Sequence, residues 1–190
     1  MTGADRGERG FTLDRGRSAL LVVDVQERLW AVMRERQLLA ERIGIAIRGC
    51  RLLQVPVFLT EQYPRGLGPT IAPIREALED LQPLVKMTFS CCGLTELPQA
   101  LKQKGIEQVI LAGIEAHVCV LQTALDLIAG GFQVHLLADA VTSRHPVDEE
   151  IALRRLSRQG VVLSTVETAL FELMTTAEAP EFKEISKLIK

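Results

Sequence analysis

Short apolar runs rich in Val, Leu and Ile recur along the chain, each followed by a longer stretch whose apolar residues fall at helical spacing. This strand–helix alternation restricts the fold more than any other feature, because it is the pattern of βαβ units around a parallel sheet. Six runs stand out: Ala19–Val25, Val57–Thr60, Leu84–Met87, Gln108–Ala112, Gln133–Ala138 and Val161–Ser164. Between the first two, the stretch from Arg36 to Leu53 carries Leu39, Ile43, Ile47 and Cys50 on one face and stops before Pro56. The spacing predicts further helices over 95–104, 118–129 and 147–159, closed by Gly105, by Gly130 and Gly131, and by Gly160. The segment from Pro69 to Pro83 reads as a long connection containing a short helix. The final EFKEISKLIK reads as a docked helix, with Glu early and Lys late to suit the helix dipole. The fold class expected is α/β with three αβα layers, and its working residues belong at the carboxyl ends of strands, where the βα loops form a crevice.

At 190 residues the chain fits one domain, and 47% apolar residues suffice for its core. A net charge of −2 gives no field that would draw nucleic acid or an anionic membrane, so neither is expected as a partner; a small neutral or weakly charged molecule is. Cys50, Cys91, Cys92 and Cys119 are too few for a chain this apolar to need a disulfide framework, and reduced thiols point to a cytoplasmic protein. MTGADRGERGFTLDRGR lacks the apolar core of a secretory signal, so residues 1–16 are expected to be a flexible tail and 17–190 the domain. No apolar run approaches the ~20 residues that span a bilayer.

Three residues share one kind of position. Asp24 ends the first apolar run, Lys86 ends the short run before MTF, and Cys119 lies where the fourth strand gives way to a helix. Each has a bland reading: Asp24 caps a turn, Lys86 snorkels from the surface, Cys119 is a small buried hydrophobe. Against these stands their convergence, which supplies a nucleophile, a base for its proton and a cation to steady the charged forms. A helix start would also lower the thiol pKa and offer N–H groups to an oxyanion. His117 stands two residues from Cys119, so the two point to different helix faces; it is either a substrate contact or part of the helix start. Satisfied structural roles are expected for His135, inside the fifth strand, and His145, before Pro146. Cys91 and Cys92 could line the crevice but lack metal-ligand spacing. Gly66 and Gly68 read as a flexible loop tip over it. No G-x-G-x-x-G or Walker-type loop follows the strands, which disfavours nucleotides.

The set LLVVDVQ, Lys86 and GIEAHVCV resembles the isochorismatase-like cysteine hydrolases, a family that includes nicotinamidases; TEQYPRGLG, the stretch Gln133–Arg144 and FKEISKLIK look like its isochorismatase domain-containing branch. The resemblance implies a six-stranded parallel sheet in the order 3-2-1-4-5-6 and a homo-oligomer. It implies a triad of Asp24, Lys86 and Cys119, a cis peptide at Ile114–Glu115, and the backbone amides of Glu115 and Cys119 as oxyanion hole. Gln26, Tyr63, Phe89 and His117 are then the expected substrate pocket. Nicotinamidases carry a metal-binding aspartate and histidine cluster after the second strand; TEQYPRGLG has no histidine, so no metal or other cofactor is expected. True isochorismatases lack the cysteine, so Cys119 favours hydrolysis of a small carboxamide or related acyl compound. Ester or enol-ether hydrolysis and a non-catalytic binding role remain open.

Overall fold

The computed structural model describes residues 11–190. Strands β1 (Ser18–Val23), β2 (Val57–Gln62), β3 (Leu84–Lys86), β4 (Gln108–Ile114), β5 (Gln133–Thr142) and β6 (Val162–Ser164) form one parallel sheet in the order β3-β2-β1-β4-β5-β6, as expected. The helices are α1 (Glu27–Trp30), α2 (Arg36–Leu52), α3 (Pro64–Leu67), α4 (Ala72–Leu78), α5 (Glu96–Gln103), α6 (Leu121–Ala129), α7 (Pro146–Arg158), α8 (Val166–Met174) and α9 (Phe182–Leu188).

Strand β1 is buried along its whole length and shows how the layers form. Its alternating side chains feed two cores. Leu20 and Val22 join the stripe of α2 (Leu39, Ile43, Ile47, Cys50) together with α4, α8 and α9. Ala19, Leu21 and Val23 join α5, α6 and α7 on the other face. Each Leu or Val so buried is worth roughly 1.5–3 kcal/mol relative to exposure. Helix α8 is an element the periodicity of the sequence did not bring out. Thr165 caps it by accepting the Thr168 N–H, and Val166, Ala169, Leu170 and Leu173 fill the first core. It approaches α2 at Gly49, where a Cβ would stand 2.5 Å from a Leu170 methyl.

Strands β2 and β4 run two residues further than expected, to Gln62 and Ile114, because each end is held by a neighbour: Gln62 pairs with Lys86 and Gly113 with Val23. Gly113 has φ +121, and a Cβ there would lie 2.1 Å from the Val23 carbonyl oxygen, so only glycine carries β4 past the end of β1. The flexible tail expected over 1–16 falls partly on residues 1–10, outside the described part. In 11–16, Leu13 is buried, its N–H donates to Glu172 Oε2, and the Asp14 N–H donates to Gln108 Oε1. No helix among the described residues is long and apolar enough to cross a membrane. The four cysteines are free thiols.

His135 corrects an expectation. It lies fully buried in β5 with neither ring nitrogen hydrogen-bonded, so its role is not a satisfied one. Burial lowers its pKa to about 4. The unfolded chain, with an ordinary histidine pKa near 6.5, therefore binds the proton more readily, and stability falls as pH drops from about 6.5 towards 4. Over that window the loss approaches roughly 3 kcal/mol, at 1.4 kcal/mol per unit of pKa difference. His135→Leu should lose less stability than the native chain between pH 7 and pH 4.5 in urea titrations. Parallel losses in the two proteins would mean that His135 takes up its proton without unfolding. His145 is exposed in the turn before α7.

Candidate active site

Beyond β1 the chain turns sharply at Asp24, whose φ of +50 is a left-handed conformation that aspartate tolerates better than most residues. The turn is fixed by the Asp24 N–H donating to the Thr60 carbonyl and the Gln26 N–H to the Asp24 carbonyl. It places the carboxylate, wholly buried, against the end of β3. There Lys86 Nζ lies 2.5 Å from Asp24 Oδ2, and both side chains are fully removed from water. The ammonium donates its other two protons to the carbonyls of Thr88, 3.1 Å away, and Phe89, 3.0 Å away. All three lysine donors are thus used, which makes a buried cation tolerable. The surface-snorkelling reading of Lys86 is excluded.

Thr60 Oγ1 donates to Asp24 Oδ1 at 2.7 Å, and the Asp24 carboxylate lies near enough to the Cys119 sulfur for its charge to act on the thiol. Asp24 just past β1, Lys86 at the end of β3 and Cys119 in the turn after β4 therefore meet in one cluster. Burial raises the Asp24 pKa, with Lys86 opposing. Cys119 departs from expectation here. Its thiol pKa is raised, first by burial and then by the Asp24 charge, with Lys86 again opposing. A helix start is worth about 0.3–1 kcal/mol to an anion, whereas burying a charged group shifts a pKa by up to 3–5 units. Desolvation wins, and the resting sulfur is a thiol.

The segment carrying Cys119 is a π-turn, Ala116–Val120, between β4 and α6, and the Ile114–Glu115 peptide is cis. The Glu115 side chain is buried and bridged to Arg144 Nε at 2.9 Å. His117 is half-buried and turned away: Nδ1 is 2.9 Å from Ser143 Oγ, and Nε2 is 4.0 Å from Asp148 Oδ2.

Two neighbours were not anticipated. Gln62 Oε1 accepts from the Cys119 thiol at 3.0 Å, and Thr60 holds Asp24. The strand-end rule that selects Asp24 and Lys86 selects them too, once β2 is allowed to run to Gln62. Gln26, expected in the pocket, is buried and spends its amide on backbone: Nε2 donates to the Gln62 and Gly68 carbonyls and Oε1 accepts the Gln62 N–H. It clamps Gln62 in place rather than facing a ligand. Tyr63 and Phe89 touch Lys86 through their main chains, while their side chains are exposed. The loop after β2 is not a flexible tip: it forms α3, with Gly66 packed beneath the Tyr63 ring, and Glu61 accepts two hydrogen bonds from Thr70. Among the described residues no cluster of three or more His, Cys, Asp or Glu side chains could hold a metal ion. Cys119 is 4% exposed, so only a small group can reach the sulfur.

Sheet order and site together define a three-layer αβα hydrolase fold. The Isochorismatase domain family model matches residues 18–168, and the chain belongs to the isochorismatase family. It is 42% identical over 175 residues to isochorismatase domain-containing protein 2 of Bos taurus, covering 92% of this chain and 84% of that protein. It is 44% identical over 145 residues to isochorismatase domain-containing protein 1 of Danio rerio, covering 76% of this chain and 50% of that protein. The solved structure of the MAR1 ribonuclease from Caenorhabditis elegans superposes with a TM-score of 0.87 at 37% identity over 94% of this chain and 92% of that one. The YcaC product of Escherichia coli, an octameric hydrolase of unknown specificity, shares the fold with a TM-score of 0.87 at 24% identity, over 94% and 89% of the two chains.

Proposed function

We propose that the protein hydrolyses a small carboxamide or related acyl compound through a thioester on Cys119. One observation carries the reading: a buried thiol that feels the charge of a buried carboxylate, itself paired with a buried ammonium. Asp24 takes the thiol proton as sulfur attacks the carbonyl carbon, so the raised thiol pKa is met by a nearby base. The backbone N–H groups of Glu115 and Cys119 hold the oxyanion. The C–N bond breaks, Asp24 returns the proton to the departing amine, and then activates water against the thioester. Lys86 keeps the carboxylate ionised in its dry setting. Gln62, steadied by Gln26, orients the sulfur.

Self-association belongs to the same reading, supported by the octameric YcaC relative and tested by light scattering. The burial of Cys119 and the net charge of −2 argue against RNA; one relative is described as a ribonuclease, so the assay includes it. Carboxamides, esters, isochorismate and a short RNA are supplied in parallel, and products are followed together with the intact protein mass. Ammonia release with an acyl adduct on Cys119 is the expected result. Turnover of isochorismate or RNA without an adduct would move the assignment to those chemistries, and binding without any turnover would leave a ligand-binding protein.

A further inference from the structure

Cys91 is a second thiol at the site, and the hydrolytic scheme leaves it unused. It is fully buried and packs in the same core as Cys119. Its sulfur lies 3.5 Å from Thr60 Oγ1, the hydroxyl that donates to Asp24. Its N–H donates to Thr123 Oγ1 at 2.9 Å, and Thr123 is four residues beyond Cys119, one helical turn along the same face. On the strand side the pattern repeats. Thr60, touching Cys91, and Gln62, touching Cys119, are alternate residues of β2 and so share one face. Both sulfurs are therefore brought by two independent elements to the same end of β2. Cys50 lies in the other core, and Cys92, next to Cys91, is only half-buried at the margin of this one.

We propose that Cys91 is the resolving thiol of Cys119: on exposure to hydrogen peroxide the pair closes into a disulfide that caps the nucleophile reversibly. The inference rests on reading Cys119 as the nucleophile. Asp24 takes the Cys119 proton while sulfur attacks one peroxide oxygen; the O–O bond breaks, and the departing hydroxide recovers the proton as water, leaving a sulfenic acid. Cys91 sulfur then displaces the sulfenic hydroxyl, its own proton leaving with that group as a second water. Two thiols have lost one electron each, and one peroxide has become two waters. Without a partner thiol the sulfenic acid goes on to the sulfinic acid, which thiol reductants do not reverse.

The reduced native chain is treated with hydrogen peroxide, denatured, alkylated and digested, and its peptides are mapped by mass. A disulfide joining the Cys91 and Cys119 peptides is expected, with the intact protein lighter by two hydrogens and fully restored by dithiothreitol. Cys91→Ser should instead gain oxygen at Cys119 and recover only in part. A native protein in which Cys119 gains oxygen while Cys91 remains alkylatable overturns the proposal, as does a cross-link from Cys119 to Cys50 or Cys92. Because the peptide map needs no substrate, a failed amidase assay would not be mistaken for a failed cross-link.

Discussion

Cys119→Ala should lower turnover of the responsive carboxamide by roughly 10⁴-fold or more, the scale seen when a nucleophile acting in a unit with its base is removed. The fold should survive, since the substitution deletes one sulfur from a site rimmed by polar groups, and loss of a small buried atom costs of order 1 kcal/mol. A native circular dichroism spectrum beside absent activity would isolate the chemistry from the packing. The native pH profile adds a second reading. Asp24 must be ionised to receive the thiol proton, and burial raises its pKa. Activity should therefore fall on the acid side at a pH above that of an ordinary carboxylate, and rise as pH increases through that limb. The resting thiol, its own pKa raised, gives iodoacetamide no thiolate to single out at neutral pH. An alanine variant with native turnover would end the thioester scheme.

The fold was legible because the βα units repeat an apolar run for a strand, and three of them add a glycine where the next helix stops, at Gly105, Gly130 with Gly131, and Gly160. Helix α8 escaped because only Thr165 separates it from β6, and its stripe is too short to stand out without that cap. The grouping of Asp24, Lys86 and Cys119 was suggested by position, since Lys86 ends β3, Asp24 directly follows β1 and Cys119 lies in the turn after β4, and the family resemblance pointed to the same three. What position could not convey is competition between forces at one atom. The helix start beside Cys119 argues for a thiolate, and only the depth of burial shows that desolvation prevails. Gln26 is similar. Its place in DVQ marks it as near the site, but whether an amide faces ligand or backbone depends on the Gln62 and Gly68 carbonyls, which come from a distant strand and loop.

Removing the Lys86 charge should unfold the protein more readily than any surface change and silence it as well. Lys86→Met keeps most of the stem volume but leaves the Asp24 carboxylate buried without its cation, and breaking such a pair from one side costs about 3–5 kcal/mol. For a chain of this size each kcal/mol moves the melting temperature by about 2–4 °C, so a fall near 10 °C is expected at neutral pH. The cost comes from an unpaired charge rather than a cavity, which gives two further outcomes. Lowering the pH protonates the stranded Asp24 and should narrow the gap between variant and native protein. Adding Asp24→Leu to Lys86→Met should recover much of the lost stability, because a matched apolar pair needs no desolvated ions, while activity stays absent. If the two single variants instead add without coupling, as sites that do not interact do, the ion pair does not hold this end of the sheet together and the pairing argued for Asp24 and Lys86 fails.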